Sequence, residues 1–179
     1  MTTVVEGAPV HEPVLTAEVI DALAPSRGGV FVDCTVGLGG HARALLEGGA
    51  SRLIGLDRDP SAIARATVSL HEYAGRFELV HEDYRRLGAV LGARGISGVD
   101  GILADLGVSS MQLDTAERGF SFRQDGPLDM RMDTSRGPTA AELVNQADQV
   151  TLADVIFKFG EERFSRRIAS AIVNARARG

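Results

Sequence analysis

Short apolar runs alternate with stretches of helical spacing along the first half of the chain. The apolar runs predict four β-strands, at Gly29–Asp33, Arg52–Asp57, Phe77–His81 and Gly101–Asp105. The intervening segments predict helices, at Thr16–Ala24, from Gly40 to Gly48, from Pro60 to about Tyr73, and near Tyr84–Leu91. Strict alternation of short strand and helix is typical of right-handed βαβ units. The pattern therefore predicts an α/β fold with a parallel sheet.

Local signals mark the ends of several of these helices. Pro25 follows the first helix, and proline cannot continue a helix because it lacks a backbone N–H. Gly48 ends the second helix, whose inward-facing positions are Ala42, Leu45 and Leu46. Asp59 followed by Pro60 is typical of an N-cap with proline at the first helical position.

The second half of the chain has a different texture. Gly107–Pro138 has little periodicity and is too long for an inert connector, so we predict a functional segment or part of a cap. Thr139 and Glu142 form a capping box. The next helix is predicted to start at Thr151 and to stop at Gly160, with an inner face of Leu152, Val155, Ile156 and Phe159.

A last helix is predicted from about Glu161 onward. Its apolar stripe is predicted to contain Phe164, Ile168 and Ile172. Three arginines occupy its other faces, namely Arg163, Arg166 and Arg167. These side chains favour either contacts with phosphate groups or an ordinary solvated helix face.

The most informative segment is Val30-Phe-Val-Asp-Cys-Thr-Val-Gly-Leu-Gly-Gly-His41, an apolar strand that leads through a carboxylate into three glycines and a helix. Glycine has no Cβ, so the backbone at Gly37, Gly39 and Gly40 can turn sharply and approach a ligand closely. The spacing Gly37-x-Gly39-x-x-Ala42 also fits the dinucleotide fingerprint. Glycine spacing alone therefore leaves a nicotinamide-dependent enzyme and a methyltransferase open, together with a turn that binds no ligand.

Two carboxylates favour one of these alternatives. Asp33 lies four residues before Gly37, where an anion would repel a diphosphate. S-adenosylmethionine has no phosphate and carries an ammonium and a sulfonium, so an acid at this place suits it. Asp57 follows Asp33 by 24 residues, at the end of the next strand, where a carboxylate can accept both ribose hydroxyl protons.

Acids stand at or near the tips of all four predicted strands, as Asp33, Asp57, Glu82 with Asp83, and Asp105. The carboxyl ends of parallel strands meet at one edge of a sheet, which is where such sheets bind ligands. A rim of carboxylates at this edge favours a ligand that is cationic and rich in hydroxyl groups.

Composition narrows the class of protein. Hydrophobic residues make up 44% of the chain and charged residues 24%, as in globular domains. No long apolar run and no signal-peptide pattern is present, so we expect a cytoplasmic protein without membrane contact. The single cysteine, Cys34, excludes an internal disulfide and is expected to be a small buried residue. The net charge of −5 argues against non-specific electrostatic binding of nucleic acid.

Several longer strings carry a resemblance to a known family. They are His11-Glu-Pro-Val-Leu15, Asp33-Cys-Thr-Val-Gly-Leu-Gly-Gly-His41, Asp57-Arg-Asp-Pro60, Asp105-Leu-Gly-Val-Ser-Ser110, Arg118-Gly-Phe-Ser-Phe122, Asp125-Gly-Pro-Leu-Asp-Met-Arg-Met-Asp133 and Gly160-Glu-Glu-Arg-Phe-Ser-Arg-Arg-Ile168. Together they resemble the bacterial 16S ribosomal RNA cytosine-N4 methyltransferase family (RsmH/MraW). The resemblance covers roughly residues 11–176.

The resemblance implies a class I S-adenosylmethionine methyltransferase, with the first four strands of a Rossmann-like sheet and part of an inserted helical domain. The implied organisation is a flexible tail at 1–10, a cofactor-binding part at 11–112 and a substrate-recognition part at 113–179. It implies 16S rRNA or the small ribosomal subunit as partner and leaves a homodimer open. No metal is expected, because nothing else in the chain matches the spacing of His11 and Glu12.

The resemblance also implies site residues. Its cofactor contacts fall on Gly39, Gly40, His41, Asp57, Tyr84, Asp105 and Gln112, which join Asp33 and Gly37 from the glycine bend. Tyr84 stands where many members have phenylalanine and keeps an aromatic surface for the adenine. Candidate RNA contacts are Arg118, Arg123, Arg131, Arg163, Arg166 and Arg167.

The implied reaction requires help for a weak nucleophile, because the lone pair of the cytosine N4 amine is delocalised into the ring. Other amino-methyltransferases place an (Asp/Asn/Ser)-Pro-Pro-aromatic motif after strand four, where this chain has Asp105-Leu-Gly-Val108. We therefore expect Asp105 to accept a hydrogen bond from the amine and act as the catalytic residue. Ser109, Ser110 or the loop 125–133 would complete the pocket.

A class I methyltransferase sheet normally has seven strands, and this sequence predicts four. The expectation is a fragment, or a sheet completed by a partner chain, because strand four would otherwise be a bare apolar edge. Such a chain alone is expected to bind S-adenosylmethionine weakly and not to methylate RNA. Two other functions remain open, a nicotinamide-dependent oxidoreductase and an inactive S-adenosylmethionine-binding fragment.

Overall fold

The computed structural model describes residues 13–178. The predicted tail at 1–10 and the residues His11 and Glu12 lie outside the described residues. The chain divides into two compact units between Gly107 and Val108. None of the helices between residues 13 and 178 has the length and apolar character needed to cross a membrane.

The first unit contains a parallel sheet whose strand order, within the described residues, is β3-β2-β1-β4. Its strands are β1 (Val30–Asp33), β2 (Arg52–Asp57), β3 (Phe77–His81) and β4 (Gly101–Leu103). All three neighbouring pairs run parallel. The predicted α/β fold with a Rossmann-like parallel sheet is confirmed, and β2 and β3 have their predicted bounds.

In the described part of the first unit, one α-helix precedes β1 and three others connect the strands. They are α1 (Thr16–Leu23), α2 (Gly40–Glu47), α3 (Pro60–Ser69) and α4 (Leu87–Gly92). The N-cap prediction for α3 is confirmed, since the Asp59 carboxylate accepts a hydrogen bond from the Ser61 N–H and Pro60 is the first helical residue. Two predicted helices are each divided, because 3-10 turns occupy His71–Tyr73 after α3 and Tyr84–Arg86 before α4.

Apolar side chains cover both faces of the sheet. Phe31 packs on one face with residues of α2 and α3, and the next residue, Val32, packs on the other face with Val90 of α4. Successive side chains of a strand point to opposite faces, so a strand buried on both sides is a nearly continuous apolar run. Cys34 is buried in the second of these clusters, as expected.

The fourth strand is shorter than predicted. Its pairing with β1 ends at the register Asp33 to Leu103, so Asp105 lies in the following loop and is exposed. The apolar run alone suggested a strand as far as Asp105, but a strand extends only as far as its partner offers backbone groups. Asp105 therefore lies beyond the carboxyl end of β4 and not within the strand.

The second unit is helical in the part that the structure describes. Its helices are α5 (Ser110–Asp114), α6 (Ala140–Gln146), α7 (Gln149–Gly160) and α8 (Ser165–Arg176). The predicted capping box of Thr139 and Glu142 is confirmed at the start of α6. A small core of Leu152, Ala153 and Ala169 joins α7 to α8.

Three predictions in this unit are wrong. Helix α7 starts at Gln149 rather than Thr151, because the Asp148 carboxylate caps it by accepting the Thr151 N–H, and Phe159 is 83% exposed instead of buried. Helix α8 buries Ser165 and Ala169, while Phe164 and Ile168 are exposed. Small side chains form the contact between the two helices, which leaves these larger apolar residues outside.

The long segment before α6 is a loop whose conformation is fixed by hydrogen bonds and close packing. The guanidinium of Arg118 donates to the backbone carbonyls of Arg131 and Met132, at 2.8 and 3.1 Å. A Cβ on Gly126 would overlap the Ala116 carbonyl, so the loop packs closely on the 3-10 turn at Ala116–Arg118. Backbone contacts of this kind fix the loop without regular secondary structure.

Candidate functional site

The glycine bend connects β1 to α2 and lies at the carboxyl end of the sheet. Its backbone is tied to β2, since the Val36 N–H donates to the Leu56 carbonyl at 2.9 Å. It closes on itself, since the Gly39 N–H donates to the Val36 carbonyl at 2.7 Å. Gly37 and Gly39 have φ values of +52° and +88°, a region that side chains with a Cβ rarely adopt.

The three glycines serve different purposes. A Cβ on Gly39 would lie 2.7 Å from the Ser69 hydroxyl, and one on Gly40 would lie 2.8 Å from Cγ of Pro13. These two glycines therefore let the protein pack against itself. A Cβ on Gly37 would have the Thr35 carbonyl oxygen as its nearest neighbour, at 3.8 Å. This glycine therefore leaves space in which a ligand can approach the backbone.

Asp33 ends β1 directly under this bend and is 1% exposed. Its Oδ1 accepts the Thr35 N–H at 3.0 Å, whereas its Oδ2 has no hydrogen-bond partner among residues 13–178. Burial raises the pKa of this carboxyl from 3.8 to about 6, and His41 opposes the rise while Asp57 adds to it. A buried carboxylate oxygen without a partner is costly, which makes it a candidate contact for a cation.

Asp57 ends β2 and holds the bend from its other side. Its Oδ2 accepts the Gly37 N–H and its Oδ1 accepts the Asp59 N–H, both at 2.9 Å. Burial raises the pKa of this carboxyl. Each carboxylate oxygen can accept a second hydrogen bond, so the side chain can still receive a pair of hydroxyl protons.

Asp105 is brought to the same end of the sheet by the bend. Its backbone N–H donates to the Thr35 hydroxyl at 2.8 Å, and the Cys34 N–H donates to the Leu103 carbonyl at 2.9 Å. Because Asp105 itself is exposed, its carboxylate is accessible to a second reactant. Asp33, Asp57 and Asp105 thus lie around the glycine bend, at the end of the sheet where the sequence predicted a rim of acids.

Tyr84 follows the end of β3, and His41 lies in the first turn of α2. Tyr84 opens the 3-10 turn that follows β3, and 41% of its surface is exposed, which leaves the ring available for stacking. His41 is buried, and its Nε2 donates to the Val14 carbonyl at 2.8 Å, so it joins α2 to the segment before α1.

Gln112 belongs to the second unit. It is buried as the third residue of a capping box on α5, where its side-chain oxygen accepts the Ser109 N–H at 3.0 Å. Its predicted cofactor contact stays a prediction.

The six candidate arginines divide into two groups. Arg118 and Arg131 use their guanidinium groups inside the second unit, the latter in a two-point contact with Asp129. The exposed ones are Arg123, Arg163, Arg166 and Arg167. Two of them, Arg163 and Arg167, lie over the Phe164 ring at 4.7 and 5.5 Å from its centroid.

Two residues that support the site, Thr35 and Arg58, were not assigned a role from the sequence. Thr35 anchors Asp105, and the ion pair of Arg58 with Asp83 joins the ends of β2 and β3. Thr35 lies inside the glycine bend and Asp83 belongs to the predicted rim of acids, but nothing local indicates their partners. Within the described residues, no three His, Cys, Asp or Glu side chains are grouped to hold a metal ion.

Comparison with known proteins decides the family. The model of the MraW methylase family matches residues 8–179. The chain belongs to the MraW methylase family. This confirms the resemblance found in the sequence motifs and places the sheet among Rossmann-like methyltransferase folds.

Curated relatives of this MraW family member are named ribosomal RNA small subunit methyltransferase H. The protein from Nitrobacter winogradskyi is 54% identical over 169 residues, which are 94% of this chain and 51% of that protein. The protein from Paramagnetospirillum magneticum is 52% identical, over 93% of this chain and 52% of its own length. The protein from Azorhizobium caulinodans is 55% identical, over 93% and 48%. The chain therefore spans about half the length of these relatives.

Proposed function

We propose that the protein acts in the S-adenosylmethionine-dependent methylation of the N4 amine of a cytidine in the decoding region of 16S rRNA. Membership of the MraW methylase family supports methyl transfer, and the names of the relatives support a ribosomal RNA substrate. The first unit would bind the cofactor and the second would recognise RNA.

One observation carries the cofactor part of the proposal, the unpartnered Oδ2 of the buried Asp33 at the start of the glycine bend, in which Gly37 has open space. A diphosphate would meet this carboxylate with like charge, whereas an ammonium or sulfonium would compensate it. When bound, S-adenosylmethionine supplies an electrophilic methyl group on its sulfonium. The residues present fit that cofactor, since the glycine bend offers both a negative charge and a close approach.

The remaining parts of the cofactor have matching groups on β2 and β3. Asp57 has lone pairs free for the two ribose hydroxyls, and its position is fixed by two backbone amides. Tyr84 presents a half-exposed ring that can stack on the adenine. The backbone hydrogen bond from the Glu82 N–H to the Asp57 carbonyl, at 3.0 Å, holds these two contacts at a fixed spacing.

Asp105 is proposed as the catalytic residue. Its exposed carboxylate can accept a hydrogen bond from the cytosine N4 amine, which favours the tetrahedral geometry that frees the lone pair for attack. The Thr35 hydroxyl holds the backbone of Asp105 in place, so the carboxylate is positioned before the substrate arrives. Positioning of this kind is worth several kcal/mol in well-oriented reactions.

RNA binding is proposed for the exposed arginines of the second unit. Among the described residues, none of Arg163, Arg166 and Arg167 is paired with a carboxylate, and two of them surround the half-exposed Phe164. Arginines supply contacts to phosphate groups, and an aromatic ring or a guanidinium plane can stack on an unpaired base. A flipped or single-stranded cytidine is required in any case, because its N4 must reach the methyl group.

Replacing these three arginines with alanine is expected to weaken RNA binding and to lower its dependence on salt. About 0.7 counterions are released for each phosphate contact on a single strand, so the slope of log K against log salt should fall by about 2. The slope is measured with a single-stranded oligonucleotide from the decoding region.

Arg43→Ala is the control for this measurement, since Arg43 is paired with Glu47 and Glu72 on the first unit. We expect the control to keep the original slope. A triple variant that also keeps the original slope would remove these arginines from the RNA interface.

Mass spectrometry of 16S rRNA tests the proposed function. The rRNA is incubated with S-adenosylmethionine and either this chain or an extended chain, in which the part of the Nitrobacter winogradskyi relative that this chain does not cover is appended. We expect N4-methylcytidine in the decoding region with the extended chain. An extended chain that binds S-adenosylhomocysteine but leaves this rRNA unmodified would overturn the proposed substrate.

A further inference from the structure

The ends of β2 and β3 are joined by three separate contacts in the first unit. The Glu82 N–H donates to the Asp57 carbonyl at 3.0 Å, and the His81 ring Nε2 donates to the Arg58 carbonyl, also at 3.0 Å. The third contact is an ion pair between Arg58 Nε and Asp83 Oδ2 at 3.3 Å. The ion pair is the contact of these three that is made by two side chains, so a mutation of either partner removes it without altering the backbone.

This ion pair stands directly beside two proposed cofactor contacts. Arg58 follows Asp57, which is proposed to hold the ribose, and Asp83 precedes Tyr84, which is proposed to hold the adenine. The ion pair therefore links the residue next to one contact with the residue next to the other.

Asp83 also determines the backbone that carries Tyr84. Its Oδ1 accepts the Arg85 N–H at 2.9 Å, and its backbone carbonyl accepts the Arg86 N–H at 2.9 Å. These bonds cap the 3-10 turn that begins at Tyr84. The orientation of the aromatic ring is thus coupled to the position of the Asp83 carboxylate.

The surroundings of Asp83 exclude a direct role in ligand binding. The residue is 7% exposed, and its Oδ1 also accepts Arg85 Nε while its Oδ2 accepts Arg85 Nη2 and faces Arg58. The four lone-pair directions of the carboxylate are accounted for. Hydrogen bonds from Arg85 and the charge of Arg58 lower the pKa of Asp83 to about 2, so it is ionised at every physiological pH.

We infer that Arg58 and Asp83 are positioning residues that set the spacing between the Asp57 carboxylate and the Tyr84 ring, and so the fit of the adenosine half of the cofactor. This inference rests on the proposed function, because it requires an adenosine-bearing ligand at this edge of the sheet. We call the Arg58–Asp83 ion pair the adenosine clasp.

The chain offers a matched control for the clasp. Arg85 contacts the same carboxylate as Arg58, but it belongs to the same turn as Asp83 and does not reach β2. Arg58→Ala removes the link between the strands, whereas Arg85→Ala removes a local contact from an arginine that is 73% exposed. A role limited to local stability predicts equal effects of the two changes.

The test is calorimetric titration of the 179-residue chain and its variants with S-adenosylhomocysteine and with methylthioadenosine, which lacks the amino-acid part. We expect Arg58→Ala to raise Kd about three- to fivefold, the range of a partly exposed ion pair, and Arg85→Ala to change it less than about twofold. Asp83→Asn should raise Kd about tenfold. The increase should be equal for both ligands, and thermal unfolding should confirm that each variant is folded.

Four results would count against the clasp. Equal effects of the two arginine variants would assign Asp83 a local structural role, and a larger loss for S-adenosylhomocysteine than for methylthioadenosine would indicate general loosening. Unchanged binding in Arg58→Ala, beside normal binding by the original chain, would overturn the clasp alone. Absence of binding by the original chain would overturn the proposed cofactor and the clasp together.

Discussion

Replacing Asp33 with asparagine is expected to stabilise the fold at neutral pH and to weaken cofactor binding. Burial raises the pKa of the Asp33 carboxyl from 3.8 to about 6, so ionising it at pH 7 costs roughly 3 kcal/mol in the folded protein. Asparagine has the same shape and can keep the hydrogen bond from the Thr35 N–H, but it carries no charge. The amide nitrogen that replaces the unpartnered Oδ2 is itself left without a partner, so the expected gain in the free energy of unfolding at pH 7 is up to about 2 kcal/mol.

The sign of this effect depends on pH in a defined way. The carboxyl has a higher pKa in the folded chain than in the unfolded chain, so its penalty is absent below about pH 4, grows between pH 4 and 6, and is complete above pH 6. Denaturant unfolding at pH 4 and pH 7 measures this difference. At pH 4 the variant and the original chain should have nearly equal stability.

Asp83→Asn is the matched control for the stability measurement. The pKa of Asp83 is lowered to about 2 by Arg85, so its ionised form is favoured by folding and its neutralisation should destabilise the protein at pH 7. Opposite signs for the two asparagine variants are the expected result. Equal destabilisation by both would show that Asp33 is a satisfied structural acid.

The same Asp33 variant should bind S-adenosylhomocysteine about 10- to 100-fold more weakly, because a hydrogen bond to a charged group is worth about 1.5–3 kcal/mol. Greater stability together with weaker binding is the signature of a group retained for function. Weaker binding without the gain in stability would indicate damage to the fold instead.

Replacing Asp105 with asparagine is expected to lower methyl transfer about 100-fold or more in the extended chain. Proper placement of a proton acceptor contributes about 10²–10⁴ to such reactions, and asparagine is a much weaker acceptor at the same position. The family resemblance also implies a cofactor contact of Asp105, so affinity is the second measurement: a change of less than about threefold in the affinity for S-adenosylhomocysteine assigns the loss of turnover to the amine and not to the cofactor. Single-turnover assays beside calorimetry separate the two effects.

Thr35→Val tests whether turnover depends on the position of Asp105. The variant removes the hydroxyl that anchors the Asp105 backbone but leaves the carboxylate intact, so an intermediate loss of turnover is expected. Near-normal turnover of Asp105→Asn with unchanged cofactor binding would contradict the catalytic role of Asp105.

Much of the first unit could be predicted from the sequence, because its signals are local. The Asp59–Pro60 cap and the bounds of β2 and β3 follow from neighbouring residues, and the structure has them as predicted. The end of β4 depends on how far β1 offers a partner, which no local pattern records. Phe159 fits the helical period, but small residues such as Ala169 determine which face of each helix is buried.

The sequence predicted which residues form the site but not what each of them does. The acids at the strand tips and the glycines of the bend were identified from the sequence, and the parallel sheet brings them together at its carboxyl end. Their division of roles depends on contacts between distant residues: Gly39 packs on Ser69, Gly37 remains open, and Asp83 pairs with Arg58. The unpartnered oxygen of Asp33 is likewise visible only in three dimensions.

We propose that the buried carboxylate of Asp33 recognises a cationic adenosine cofactor at the glycine bend. The most direct test of this claim is calorimetric titration with S-adenosylhomocysteine between pH 5 and 7, in the original chain and in Asp33→Asn. We expect the affinity of the original chain to fall below pH 6, approaching tenfold for each pH unit, and that of the variant to stay flat. A pH-independent affinity that is equal in both chains, or tighter binding of NADH than of S-adenosylhomocysteine, would contradict the claim.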